Sequence, residues 1–244
     1  MSLVFFLFAI FILMGVSSLS ASAGTGIVIR PIHLTLDADG SRGGKVNVIN
    51  QKDKEVTLQA SIFGWQQKKK GHDVLVKSND IILTPPIMRI GPNEQQTIRY
   101  ALKSGISADP EREKAYRLVI DELPRSPSSG GGLSLRMRYV LPLFVGGREA
   151  EAGPLELFYE KQSDKCVLNV KNSGSRHAKL LSVEAKSNKN TFKFRAPLYI
   201  LGVTTLALSC PTEMKEASSV EVLNVESDVG NFSIVINGRD ARRP

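Results

Sequence analysis

Short runs of alternating apolar and polar residues, separated by turn residues, constrain the fold of this chain more than any other feature. In one such run Val56, Leu58, Ala60 and Ile62 alternate with polar residues, and the only tryptophan, Trp65, follows. A two-residue period is typical of β-strands that bury one face. No stretch after residue 27 has convincing helical periodicity. We therefore expect an all-β fold built from strands of the length found in β-sandwiches.

The amino-terminal segment has the features of an export signal. Leu3 to Val16 is apolar apart from one glycine, and Ala21-Ser22-Ala23 has the small-x-small form of a signal-peptidase site. We expect residues 1–23 to be a cleaved signal peptide, so that the protein is exported and is not inserted in the membrane after cleavage. No lysine or arginine precedes the apolar run, which departs from the usual pattern, and an uncleaved anchor is the alternative.

The exported part is long enough for two domains. A glycine-rich composition shift at residues 146–154 predicts the boundary, giving domains at 24–148 and 153–244. Three arginines within residues 239–244 predict a solvated tail at the end of the second domain. The formal net charge is +8, which favours an acidic or anionic partner but, in an exported protein, does not indicate nucleic acid.

Cys166 and Cys210 are the only cysteines. An even count in an exported chain predicts a single disulfide. In the chain-entropy model, closing the loop from Cys166 to Cys210 stabilises a fold by about 4 kcal/mol. A metal pair or a redox couple is less expected, because neither cysteine lies in a C-x-x-C pair and no histidine lies near in sequence.

Catalytic and metal sites are not indicated by the sequence. His33, His72 and His177 are scattered and lack the i, i+4 spacing of a helical zinc site. No G-x-S-x-G elbow or glycine-rich phosphate loop is present in a strand–turn–helix context. Asp121 and Glu122 are adjacent in a predicted strand, so their carboxylates point to opposite faces. We therefore expect a protein that is not an enzyme and needs no metal, nucleotide or other cofactor.

The segment LSLRMRYVLPLF (133–144) is an unusual strand candidate because its two faces differ sharply. One face is an almost unbroken apolar row, formed by Leu133, Leu135, Met137, Tyr139 and Leu141. The other face carries Ser134, Arg136, Arg138 and Val140. Such an apolar row needs a groove to fill, and an ordinary core strand of a sandwich is the alternative interpretation.

Four segments together resemble one known family. They are VTLQASIFGWQQ (56–67), TPPIMRIGPNEQQTIRY (84–100), AYRLVIDELP (115–124) and SLRMRYVLPLF (134–144). Taken together, these four segments resemble the periplasmic pilus-assembly chaperones. The tyrosine, acidic pair and proline of the third segment and the R-Y-x-x-P-L-F ending of the fourth are similar to the archaic class of that family. The resemblance covers nearly all of the predicted first domain, and in the second domain only the strand pattern is similar.

The resemblance implies two immunoglobulin-like β-sandwiches set at an angle. A pilus or fimbrial subunit would be held against the last strand of the first sandwich and then released to an outer-membrane usher. That pairing is an established case of strand addition. The residues implied to enter the subunit are Leu133, Leu135, Met137 and Tyr139, whereas Leu141 and Phe144 are expected to pack within the chaperone. The strand-end arginine of the family's interdomain charge network is replaced by Gly146.

The resemblance also implies an anchor for the subunit's terminal carboxylate, but this chain departs from the usual pattern. Members of the classical branch of the family use one basic residue in the first strand and one near the end of the donor strand, and here His33 and Pro142 take those positions. Arg117 and Arg138 should share one face of two neighbouring strands and are the candidate anchor, with Arg89 next. Solvated surface arginines are the alternative.

A secreted adhesin or carbohydrate-binding module is the alternative function. Such modules bind through loop tips or aromatic platforms. Aromatic residues make up only 7% of this chain and the one tryptophan lies in a predicted strand, so the sequence offers no such platform.

Overall fold

A computed structural model describes residues 26–36, 43–68, 72–124, 135–151, 153–162, 165–187, 190–216, 220–235 and 240–243. The described chain is almost entirely β-structure and forms two sandwiches, as predicted. The strands of the first sandwich are β1 Ile27–Arg30, β2 Leu34–Leu36, β3 Gly43–Asn50, β4 Val56–Lys68, β5 His72–Lys77, β6 Ile81–Thr84, β7 Ile87–Ile90, β8 Gln95–Leu102, β9 Lys114–Glu122 and β10 Arg138–Val145.

Two sheets enclose the core of the first sandwich. One has the order β1-β3-β8-β6, and the other has the order β2-β10-β9-β4-β5, with β7 also paired to β4. The alternation in β4 is confirmed, because Val56, Leu58, Ala60 and Ile62 are all buried. Every second side chain of β4 over this stretch thus enters the core, which is the burial expected of a strand in a two-sheet sandwich.

The chain changes sheet near its start. β1 is antiparallel to β3 in the first sheet, whereas β2 is parallel to β10 in the second. Pro31, which lacks a backbone amide hydrogen, lies between the two strands. The predicted interruption of the first strand at Pro31 is therefore confirmed, and it brings the start of the chain beside β10.

The second sandwich also consists of two sheets. Its elements are β11 Leu155–Gln162, β12 Lys165–Asn172, β13 Ala178–Lys186, β14 Thr191–Lys193, β15 Leu198–Ile200, β16 Thr204–Ser209, a short helix α1 Thr212–Glu216, β17 Val222–Ser227, β18 Gly230–Val235 and β19 Asp240–Arg243. The sheet orders are β16-β12-β11-β19 and β14-β13-β17-β18, with β15 paired to β13. The prediction of a solvated tail is wrong for 240–243, because β19 completes the first of these sheets by pairing with β11.

The predicted disulfide is present. Cys166 of β12 and Cys210, just after β16, are bonded, with 5.4 Å between their Cα atoms. Both cysteines are buried in the core of the second sandwich. The bond therefore ties two neighbouring strands of one sheet together and has a structural role.

Two side chains of the first sandwich, Gln67 and Glu113, form hydrogen bonds with the second sandwich at the joint between them. The Gln67 amide donates from Nε2 to the Tyr199 carbonyl at 2.9 Å and accepts from the Leu201 amide at 2.9 Å. The buried Glu113 carboxylate accepts from the backbone amide of His177 at 3.0 Å and lies 2.8 Å from His177 Nδ1. Gln67 and Glu113 thus satisfy polar groups that the joint would otherwise bury without partners.

Aromatic packing completes this joint. Trp65 and Phe144 of the first sandwich are buried together with Leu201 of the second. The ring of Phe144 stacks on that of His177, with 3.7 Å between centroids and 10° between planes. Gly146 has a φ of +77°, and a Cβ atom there would collide with the Asp109 carbonyl. The backbone geometry at Gly146 is therefore incompatible with a side chain, including an arginine.

Candidate functional site

One edge of β10 is open over most of its length. β10 pairs with β9 from Arg138 to Val145, but β2 covers the opposite edge only from Leu143 to Val145. Within the described ranges, no strand pairs with that edge between Arg138 and Pro142. This segment, which we call the open edge, can accept a strand from another chain.

The hydrogen-bond pattern shows which backbone groups the open edge presents. The Glu122 amide donates to the Met137 carbonyl at 2.9 Å. The backbone N–H and C=O groups of the odd-numbered residues of β10 therefore point toward β9. The backbone groups of the even-numbered residues point away from β9. The hydrogen bond from the Gly146 amide to the Leu36 carbonyl, on the β2 side, agrees with this. Arg138 and Val140 therefore offer both N–H and C=O outwards. Pro142 offers only its carbonyl, which makes proline acceptable there.

The predicted apolar row is divided between the protein surface and the core. Leu133 lies outside the described residues. Leu135 and Met137 are 76% and 48% exposed, whereas Tyr139 packs partly buried against the core. Regular strand begins only at Arg138 rather than at the start of the row, because β9 ends at Glu122 and offers no partner further along. The exposed apolar side chains of Leu135 and Met137 thus lie just before the open edge, where the ladder with β9 has ended.

Leu141 and Phe144, which were expected to pack within this chain, are both buried, but in different places. Leu141 is 5% exposed and belongs to the core of the first sandwich. Phe144 is 2% exposed and belongs to the joint, where it contacts Trp65 and Leu201. Phe144 lies on the outer face of its sheet, which the second sandwich covers at this point.

A cleft between the sandwiches lies beside the open edge, and residues Arg138 to Pro142 all line it. Its volume is about 660 Å³, and it is lined by residues of β10 together with Ile32, His33, Arg117, His177, Lys179, Tyr199 and Asp228, among others. Ile32 is 72% exposed and Val140 is 44% exposed, so the cleft has an apolar rim as well as basic walls. Ile32, Lys179 and Tyr199 carried no sequence signal as site residues, because only the packing of the two sandwiches brings them together.

Arg117 lies in the wall of this cleft and is held firmly. Its guanidinium carbon is 3.4 Å from the centroid of the Trp65 ring, and Nη2 is 3.6 Å from Asp73 Oδ2. Its side chain is only 14% exposed. Burial lowers the pKa of Arg117, and Asp73 opposes this effect. Arginine nevertheless stays charged at neutral pH, so the cleft contains a fixed positive charge.

Arg138 lines the same cleft, whereas Arg89 lies elsewhere. Arg138 does share the outer face of its sheet with Arg117, as predicted, since Arg138 pairs with Asp121 and Pro142 with Arg117. It is exposed at the far end of the open edge and binds Asp121 through Nε and Nη2 at 2.6 and 3.1 Å. The hydrogen bond to Asp121 raises the pKa of Arg138. Arg89 lies on β7, which β4 and β9 separate from β10, and is 4.0 Å from Glu55.

His33 also lines the cleft, near three other rings. Its ring centroid is 5.4 Å from that of Phe144, 5.9 Å from that of His177 and 6.4 Å from that of Tyr199. Partial burial lowers the pKa of His33 below the ordinary value of 6.5, and the charges of His177 and Lys179 lower it further. The neutral imidazole is therefore the main form at pH 7.

No group of three or more histidine, cysteine, aspartate or glutamate side chains among the described residues is arranged to hold a metal ion. No helix among the same residues is long and apolar enough to cross a membrane.

Comparison with known proteins gives a consistent result. Residues 26–148 match the family described as pili and flagellar-assembly chaperone, PapD N-terminal domain. A curated relative, the chaperone protein FimB/FhaD of Bordetella pertussis, is 28% identical over 181 residues, which are 70% of this chain and 72% of the relative.

Solved structures share the fold. The chain is similar to the CsuC–CsuE chaperone–tip adhesion subunit complex of the archaic Csu pili of Acinetobacter baumannii, with a TM-score of 0.65, 22% identity and coverage of 85% of this chain and 96% of that one. The YadV chaperone gives a TM-score of 0.62, 18% identity and coverage of 89% and 99%. The Salmonella enterica SafA pilin–SafB chaperone complex gives a TM-score of 0.59 and 17% identity, with coverage of 88% of this chain and 98% of that one.

Proposed function

The chain belongs to the family of pili and flagellar-assembly chaperones, and from this premise we propose that it holds a pilus subunit by adding β10 to the subunit's incomplete sheet. The observation that carries the proposal is the open edge from Arg138 to Pro142. A subunit that lacks one strand exposes both unpaired backbone groups and an apolar trench. The open edge would satisfy the backbone groups, and the apolar row that precedes it would fill the trench.

Leu133, Leu135, Met137 and Tyr139 are the residues that we assign to the trench. Leu135 and Met137 are already exposed in the free chain, so their burial in a subunit removes apolar surface from water on binding. Each fully buried side chain of this size contributes roughly 1.5 to 3 kcal/mol. Exposure of large apolar side chains beside an unpaired strand edge is otherwise unfavourable for a free protein, which supports a binding role.

We assign the subunit's terminal carboxylate to the cleft beside Pro142. Arg117 is the main candidate, because its charge lies in the cleft wall. Its cross-strand neighbour on β10 is Pro142, at the end of the open edge. Lys179 and His33 line the same cleft and are added to the candidates. Arg138 is a weaker candidate because it already binds Asp121, and Arg89 is the weakest because β7 lies away from the open edge.

The remaining steps follow the resemblance to the family. The relationship to the Csu chaperone complex supports the archaic class. Residues 1–23 would direct export and be removed, and the two domains would span 24–148 and 153–244. In the periplasm the protein would pass subunits to an outer-membrane usher without enzymatic activity. The energy for release would come from completing the subunit's fold with a strand from the next subunit.

A capture experiment tests the role of the apolar row. Replacing Leu135 and Met137 together with glutamate should leave the first sandwich folded, since both side chains are exposed, but abolish co-purification of a co-expressed pilus subunit of the same organism. Leu181→Glu with Val235→Glu is the matched control, because these side chains of the second sandwich are 41% and 65% exposed. Undiminished capture by the Leu135/Met137 variant would refute the donor role.

A further inference from the structure

His33 lines the cleft to which we assign the subunit's terminal carboxylate, and an imidazole can change its charge near neutral pH. The other histidine of the cleft, His177, is already bound to the Glu113 carboxylate. We propose that His33 takes up a proton when a subunit's terminal carboxylate enters the cleft, so that subunit capture becomes stronger as the pH falls. This inference rests on the proposed function, because it concerns the same cleft.

The charged groups around His33 leave it without a carboxylate partner of its own. From the second sandwich, Arg176 and Lys179 add positive charge, and Glu113 is bound to His177. Asp228 accepts a hydrogen bond from the Lys179 backbone amide at 2.7 Å. On the first sandwich, two arginines line the cleft: Arg117, which is paired with Asp73, and Arg138, which is paired with Asp121.

A carboxylate in the cleft would reverse this balance. Partial burial and the positive charges around His33 disfavour its protonated form in the free protein, which is why its pKa is lowered. A bound carboxylate favours the protonated form and raises the pKa of His33. Between the two pKa values, binding is accompanied by proton uptake, and affinity rises by up to about tenfold per unit fall in pH.

The free protein should respond to pH in the opposite sense. Because the pKa of His33 is lower in the folded state than the ordinary value of 6.5, the unfolded chain binds protons more readily in this range. Stability is therefore reduced as the pH falls below about 6.5. A bound carboxylate should remove this loss, which makes the cleft a site where acidity weakens the empty chaperone and favours the loaded one.

The experiment follows the histidine rings by NMR in the full mature protein. The probes are an N-acetylated octapeptide of alternating valine and threonine with a free carboxyl terminus, and the same peptide as a carboxamide. The amide resonance of Val140, on the open edge, reports strand addition independently of His33. We expect both peptides to shift the Val140 resonance, but only the carboxylate peptide to raise the pKa of His33.

Variants of the histidines complete the test. His33→Gln should abolish the gain in carboxylate-peptide affinity between pH 8 and pH 5.5, and His33→Arg should give tight binding across that range. His72→Gln, at an exposed histidine of β5, is the matched control and should behave as the unmodified protein.

The outcomes separate the two proposals. If the carboxylate peptide shifts Val140 while the pKa of His33 is unchanged, or if His33→Gln keeps the pH dependence, the proton coupling is wrong and strand addition stands. If neither peptide shifts Val140, strand addition itself is contradicted and the coupling with it.

Discussion

Arg117 shows how a single side chain can serve both the packing and the binding surface. Its guanidinium stacks on Trp65 and pairs with Asp73, while it also lines the cleft beside the open edge. Stacking on an indole ring stabilises a partly buried arginine by about 1 to 2 kcal/mol and leaves its charge intact. The same contacts hold the guanidinium in one orientation, which reduces the entropy lost when an anion binds.

Removing the two arginines of this face should separate their roles. We expect Arg117→Ala to lower the unfolding free energy of the first sandwich by about 1 to 2 kcal/mol, and to weaken capture of a pilus subunit. Arg138→Ala should leave stability nearly unchanged, because its pair with Asp121 is exposed. Denaturant titration and co-purification measure the two effects.

The double variant provides the decisive comparison. Capture should be weaker with Arg117→Ala and Arg138→Ala combined than with Arg138→Ala alone. If capture persists at full strength, the carboxylate anchor lies elsewhere, and Lys179→Ala becomes the next variant to measure.

The sequence allowed the shared face of Arg117 and Arg138 to be predicted, because strand parity alone determines it. It did not allow the pairing of Glu113 with His177, which are 64 residues apart, to be predicted. Contacts of this kind depend on how the two sandwiches dock, and no local pattern in the sequence reports that geometry. The same reason explains why Lys179 and Ile32 were missed as cleft residues.

Strand β10 has two functions along its length. Its odd-numbered residues bond to β9 and hold the sandwich together, whereas the even-numbered residues before Leu143 present unpaired backbone groups. One strand can therefore be altered on its outward side without breaking the ladder that folds it.

Proline substitutions at adjacent positions test this division. Val140→Pro removes one outward N–H, so the first sandwich should stay folded while capture falls by about fivefold to tenfold, the effect of losing roughly 1 kcal/mol. Tyr139→Pro removes an N–H that faces β9 and should instead lower the unfolding free energy by about 3 kcal/mol. Thermal unfolding and subunit co-purification of the two variants should give opposite patterns. Equal losses of stability would contradict the assignment of which residues face outwards.

The strands themselves were largely predictable. The alternation of β4 and the break at Pro31 both indicated the observed elements. The start of β10 was not predictable from its own residues, since Leu135 and Met137 have the same alternation as Tyr139. Whether they join a strand depends on a partner, and β9 has ended by that point.

The two sandwiches have separate cores, and only the second is crosslinked. The Cys166–Cys210 bond lies wholly within the second sandwich. The stabilisation from closing a loop should therefore be confined to that sandwich.

Replacing both cysteines tests this expectation. Cys166→Ala combined with Cys210→Ala should lower the unfolding free energy of the second sandwich by about 4 kcal/mol, while the unfolding of the first sandwich changes little. Differential scanning calorimetry can follow the two transitions. An equal shift of both transitions would mean that the joint at Glu113 and Gln67 couples the sandwiches into one cooperative unit.

The parallel pairing of β2 with β10 has one more consequence. Because β2 covers β10 from Leu143 onwards, a strand added beside Arg138–Pro142 meets the end of β2 and can advance no further. Subunits of different sequence would then all stop at the same point, and their side chains would fall in step with those of β10. We therefore expect β2 to set the alignment of any strand that is added to the open edge.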